Sequence, residues 1–147
     1  MRTLTLLVLA VPFFCFAQGP SIVDRLAAGK QAADASKWDL AMESYRQARS
    51  AAQAAGDRKS ESLALSGMAS TEYGRNHDDL AEKIAREGLR IAEDTGDRSA
   101  IVAALRQIGS VQFRRGQFKE LAITNERVLV LQTELARRSQ GNRRRPE

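Results

Sequence analysis

Between Pro20 and Pro146 the apolar residues recur at helical spacing, three and four apart, in segments separated by short polar breaks. No segment alternates apolar and polar residues as a half-buried strand would. Ala, Leu, Arg, Glu and Gln dominate, and β-branched residues are sparse. The breaks fall into two classes. Ala55-Gly56-Asp57-Arg58 returns forty residues on as Thr95-Gly96-Asp97-Arg98. In both, the glycine suits the left-handed residue that closes a helix, and the aspartate suits the cap of the next. The arginine is expected in solvent. Ala35-Ser36-Lys37, Arg75-Asn76-His77-Asp78 and Arg115-Gly116-Gln117 form the second class, again about forty apart. This spacing predicts an all-α chain of six helices, over 21–35, 38–54, 58–75, 78–94, 98–115 and 118–137.

A fixed period implies stacked units rather than one irregular domain. Gly29, Ala69 and Gly109 put a small residue at one place in each first helix, and Ala41 with Ala81, then Ala48 with Gly88, do so in the second. Trp38 and Phe118 lie eighty apart at the start of a second helix, and Tyr73 and Phe113 lie forty apart near the end of a first. Small residues let two helices approach closely, and an aromatic beside a turn fills the wedge where they diverge. An ordinary bundle with coincident alanines is the alternative, but it leaves the shared Gly-Asp-Arg turn unexplained.

The stretch Gly29…Trp38-x-x-Ala41-x-x-x-Tyr45-x-x-Ala48 resembles the core of the tetratricopeptide repeat, and Leu105…Ile108-Gly109…Gly116-x-Phe118 repeats its first half. The period of forty is that of a longer-helix variant. The resemblance covers about residues 21–136 in units 21–57, 58–97 and 98–136, and implies a right-handed α-solenoid of three helix-turn-helix hairpins. Several positions depart from the pattern. Arg25 stands where the leading helix usually has a large apolar residue, and Gly88 where alanine is usual. In the third unit Leu121 and Val128 replace small residues, Asn125 replaces an aromatic, and Ala136-Arg137-Arg138 stands in place of the Gly-Asp-Arg turn.

Both ends read differently from the body. Residues 1–17 have the layout of a secretory signal peptide, with Arg2, an apolar run from Leu4 to Phe16 and small residues before a cut after Ala17. The run is short for a membrane anchor, and Phe13-Phe14 before Cys15 suits lipidation poorly. Export to the periplasm or beyond is therefore expected, leaving a mature chain with no cysteine. Residues 137–147 are basic and lack apolar periodicity, so they read as a disordered tail. Once Arg2 and this tail are set aside, residues 18–136 carry 17 basic and 17 acidic side chains, despite the chain's overall +5. A neutral body argues against nucleic-acid binding. The arginine tail suits either weak contact with an anionic surface or a merely solvated terminus.

The residues offer little for catalysis, so no enzyme activity, cofactor or metal is expected. His77 is the only histidine and lies in a polar turn with Asp78 and Asp79, a weak basis for a metal site. Binding is the better expectation. The resemblance implies a concave face lined by the first helices, carrying Lys30, Asp34, Ser66, Ser70, Tyr73, Arg106, Ser110, Phe113 and Arg114. A protein or peptide partner would lie along it, with Tyr73 and Phe113 as a short aromatic ladder. Those two rings read equally well as packing between first helices. Leu26 and Ala103 stand at two places where chaperone-binding members grip a terminal carboxylate, so that specialisation is not expected. The last helix is apolar on most sides, through Val128, Leu129, Val130, Leu131 and Leu135, which implies self-association or docking on another protein. Alternatively the chain serves a larger envelope assembly, or is the input segment of a longer multidomain protein.

Overall fold

The computed structural model describes the backbone of residues 19–143 and the side chains of residues 19–140. The signal-peptide reading over 1–17 and the last four residues of the tail lie outside the described residues. Within them the chain forms six helices: α1 (Ile22–Asp34), α2 (Trp38–Ala55), α3 (Arg58–Gly74), α4 (Asp78–Thr95), α5 (Arg98–Arg114) and α6 (Phe118–Arg143). The described residues contain no strand.

Local chemistry accounts for where each helix starts. Ser21 and Asp24 form a reciprocal capping box at α1, with the Ser21 N–H donating to the Asp24 carboxylate and the Asp24 N–H to Ser21 Oγ. Asp57 accepts from the Ser60 N–H at 3.0 Å, and Asp97 accepts from the Ala100 N–H at 2.9 Å. Both aspartates therefore cap as the sequence predicts. Burial alone would push the Asp97 carboxyl up. The Ser99 hydroxyl, the Ala100 N–H and the Lys59 ammonium outweigh it and hold the group at about 2.

The turns follow a finer ruler than the forty-residue period. Left-handed residues fall at Ser36, Gly56, Asn76, Gly96 and Gly116, one every twenty positions. At each of these five turns two backbone bonds close the helix, as when Asp57 donates to Ala52 and Gly56 to Gln53. The pairs Lys37 to Ala32, His77 to Glu72, Asp97 to Ala92 and Gln117 to Gln112 repeat the wider bond of that motif. The next mark on the ruler is Ala136, and there the chain stays helical. The expected end of the last helix at 137 is thus corrected: α6 continues through Arg143. No glycine stands at the mark to reverse the chain, arginine and glutamine are good helix formers, and cations suit a helix C-terminus. Of the turn arginines expected in solvent, Arg58 is exposed and Arg98 is half-buried, and both enter ion pairs. Arg98 reaches Glu134 on α6 at 2.8 Å, and Arg58 reaches the buried Glu61 at 2.8 Å.

Each helix packs on the one before and the one after, and α3 also packs on α1 and on α5. Among the described residues α2, α4 and α6 make no such packing with one another. The odd helices therefore form one layer and the even helices a second, an arrangement compatible with a helical repeat. Helix α3 lies in the middle of the stack, with Ser62, Leu65 and Thr71 fully buried. Tyr45 of α2 inserts between α1 and α3, and only glycine leaves it room. A Cβ at Gly29 would lie 2.7 Å from its ring, and one at Gly67 would lie 2.3 Å from it. Trp38 is seated on Gly74 of α3, in the next hairpin, whereas Phe118 at the same place in α6 is 64% exposed, so the wedge-filling expected of this pair is corrected.

Candidate partner-binding cleft

The stacking of α5 on the second hairpin defines what a seat for a helix looks like in this chain. Ile108 of α5 packs against Ala69 of α3 and Ala85 of α4, with Ile84 and Leu89 beside them. Ala100, Ile101 and Leu105 continue the contact against Ala92 and Leu89. Forty residues on, the same positions of α5 and α6 are Gly109 for Ala69, Asn125 for Ala85 and Leu129 for Leu89. Among the described residues no helix beyond α5 and α6 themselves lies on them. Leu89 is partly buried in that contact, whereas Leu129 is 64% exposed.

An open cleft of about 420 Å³ marks this place, lined by Tyr73, Arg106, Gly109, Ser110, Phe113, Leu121 and Asn125. Gly109 lets α6 come close to α5, since a Cβ there would lie 3.3 Å from Leu121 Cδ1. Thr124 Oγ1 donates to Gln112 Oε1 at 2.9 Å and pins the two helices beneath the cleft. Phe113 is 63% exposed and meets Phe118 edge-on, with ring centroids 6.3 Å apart. Arg106 is exposed and enters no ion pair among the described residues.

Four of the nine residues expected on the groove come together here: Tyr73, Arg106, Ser110 and Phe113. The others do not. Ser66 is buried within the stack, and its hydroxyl donates to the Ser62 carbonyl at 3.1 Å. Lys30 and Asp34 are exposed on α1 and pair with each other at 2.6 Å, outside the cleft. Ser70 is half-buried and outside the lining. Arg114 is committed within the chain. Its guanidinium lies 3.4 Å above the Tyr73 ring, donates to the Tyr73 carbonyl and Asn76 Oδ1 at 2.7 Å each, and pairs with Asp78 at 3.1 Å. The aromatic ladder is accordingly corrected: Arg114 covers Tyr73, and the neighbour of Phe113 is Phe118.

Gly109, Leu121 and Asn125 complete the lining but were not among the expected groove residues. The signal for two of them was present, since Leu121 and Asn125 are departures from the repeat pattern. The other candidate chemistry dissolves into packing. Asp78 pairs with Arg114, Asp79 and Glu82 with Arg115, and His77 Nδ1 lies 2.7 Å from Glu72 Oε2. Among the described residues no cluster of His, Cys, Asp and Glu could hold a metal ion, and no helix is long and apolar enough to cross a membrane. In comparison with known proteins, no family model matches the chain, nor does any curated protein or solved structure.

Proposed function

We propose that the chain is an exported, tetratricopeptide-like scaffold, a right-handed solenoid of three hairpins that binds a protein or peptide partner without catalysing a reaction. The observation that carries this reading is the open cleft between α5 and α6, which combines an exposed aromatic, an arginine with no ion pair among the described residues and a glycine in its lining. Aromatic and arginine side chains are the usual anchors of protein interfaces, because they bury large area at modest entropic cost. Association would bury Phe113 and Leu121 while Arg106 sets the partner's orientation.

The test is affinity capture from the native envelope with the chain as bait, read by mass spectrometry. Arg106→Glu with Phe113→Ala should remove the specific partner while leaving the helical circular dichroism intact. Unchanged capture by the double variant would sink the reading. A second reading, membership of a larger assembly, draws on a different surface. Ile123 and Val130, 69% and 53% exposed, are seven residues apart and so share one face of α6. Loss of the partner on Ile123→Ser with Val130→Ser, and not on the cleft variant, would favour it.

A further inference from the structure

The ion pairs between hairpins follow the same register as the turns. Asp39 of the first hairpin receives Arg75 of the second, and Asp79 of the second receives Arg115 of the third. The second seat is the more elaborate, with Asp78 receiving Arg114, Glu82 sharing Arg115 at 2.5 Å, and Tyr73 lying under the Arg114 guanidinium. An incoming unit is thus met by an acid at the start of the even helix, which takes one arginine at the first seat and, with Asp78, Glu82 and Tyr73 beside it, two consecutive arginines at the second.

The third hairpin carries the same socket with its charge rewritten. Lys119 stands at the place of Asp79, Phe118 at that of Asp78, Ala122 at that of Glu82, and Phe113 at that of Tyr73. Along the helix above, Arg106 replaces Ser66. The three carboxylates at those places are gone and two cations have appeared, while one new carboxylate, Glu120, stands at the place of Leu80. Lys119 and Arg106 are exposed, and neither enters an ion pair among the described residues. An arginine-bearing unit would meet like charge here, and like charges at a close contact repel. The first hairpin of a second copy would bring Asp34 to the register of Arg114, which suits the new charge, but it fits less well along the rest of the seat. Its α1 brings Arg25 to the register of Leu105, and that side chain is already bound to the carbonyls of Pro20 and Gln47.

From this charge complementarity we infer that the cleft between α5 and α6 seats an acidic amphipathic helix of another protein. Its apolar ridge would cover Phe113, Leu121 and Leu129, and its carboxylates would face Lys119 and Arg106. The inference rests on the scaffold reading and supplies the chemistry of the partner.

A charge-swap experiment tests it with the full chain and two synthetic peptides. One peptide copies residues 98–117, the helix that fills the equivalent seat on the second hairpin. The other is the same peptide with Arg114→Glu and Arg115→Glu. Fluorescence anisotropy should show the acidic peptide binding at least tenfold more tightly than the arginine peptide. Lys119→Asp in the chain should reverse that order, because it restores the acid found at Asp39 and Asp79. Equal binding of both peptides, unmoved by Lys119→Asp, would overturn the charge inference and leave the seat itself standing. Failure of both peptides to bind would overturn the seat as well. A saturable dimer of the chain alone, broken by Phe113→Ala with Leu129→Ala, would make a second copy the occupant and refute an acidic partner.

Discussion

Gly67→Ala is the sharpest test of the packing, because two effects of known size oppose each other. Alanine is the better helix former by about 0.8–1.0 kcal/mol, so propensity alone predicts a more stable protein. Against this, the new methyl would lie 2.3 Å from Tyr45 Cε1, 2.4 Å from Cζ and 2.7 Å from Cδ1. The ring has no room to withdraw, since Gly29 faces it from α1 with only 2.7 Å to spare for a Cβ of its own. Overpacking of a close-packed core costs about 1–3 kcal/mol, and a ring held on both faces belongs at the upper end. The net expectation is a loss of about 2 kcal/mol, or about 6–8 °C in Tm for a chain of this size. Thermal melting followed by helical circular dichroism measures it. The decisive control is the same substitution beside Tyr45→Ala. With the ring removed only propensity remains, and Gly67→Ala should then raise stability by about 1 kcal/mol. A substitution that stabilises in both backgrounds would show that the ring does not sit between Gly29 and Gly67.

Two further predictions concern the turns. Ser36 holds a left-handed conformation at φ 55° without being glycine, so Ser36→Gly should raise stability by about 1 kcal/mol in a urea titration, with an unchanged slope. Asp97 has its carboxyl held at about 2, below its ordinary value of 3.8. A depressed folded-state value gives stability that is complete above about pH 4 and is lost as pH falls through about 2. Asp97→Asn keeps a capping side chain but removes the charge, so it should lower Tm at neutral pH, converge with the parent near the bottom of that window, and flatten the acid limb between.

What could be read from the sequence divides along the same line as local and non-local chemistry. All six helices lie within two residues of their expected bounds except at the C-terminal end of α6, because the marks that end them are local. Gly56, Gly96 and Gly116 mark the left-handed turns, while Asp57 and Asp97 cap α3 and α5. The close approach of Tyr45 to Gly67 was not legible. Position 67 is not on the repeating set of small residues, and only the fold brings the two together across twenty-two residues. The site was legible in part for the same reason. Register carries a residue to a face of a helix, but it does not say whether the neighbouring hairpin has already claimed it. Arg114 and Ser66 were claimed, the first by Tyr73 and Asp78, the second by burial within the stack.

In a repeat, the positions that agree with their register mates report packing between units, and the positions that disagree report where packing stops. Asp39 and Asp79 agree, and both are spent on holding the next hairpin. Lys119 disagrees and holds nothing among the described residues. Leu121 and Asn125 depart from the small and aromatic residues of the pattern, and both line the open cleft. The same logic applies to Ala136, where a missing glycine lets α6 run on instead of turning back. A helix returning at that point would have to lie over Phe113 and Leu129, two large apolar side chains exposed beside the cleft. The absent turn and the rewritten charges therefore meet on one surface, which no helix covers among the described residues and which lacks the carboxylates that receive Arg75, Arg114 and Arg115 at the first two hairpins.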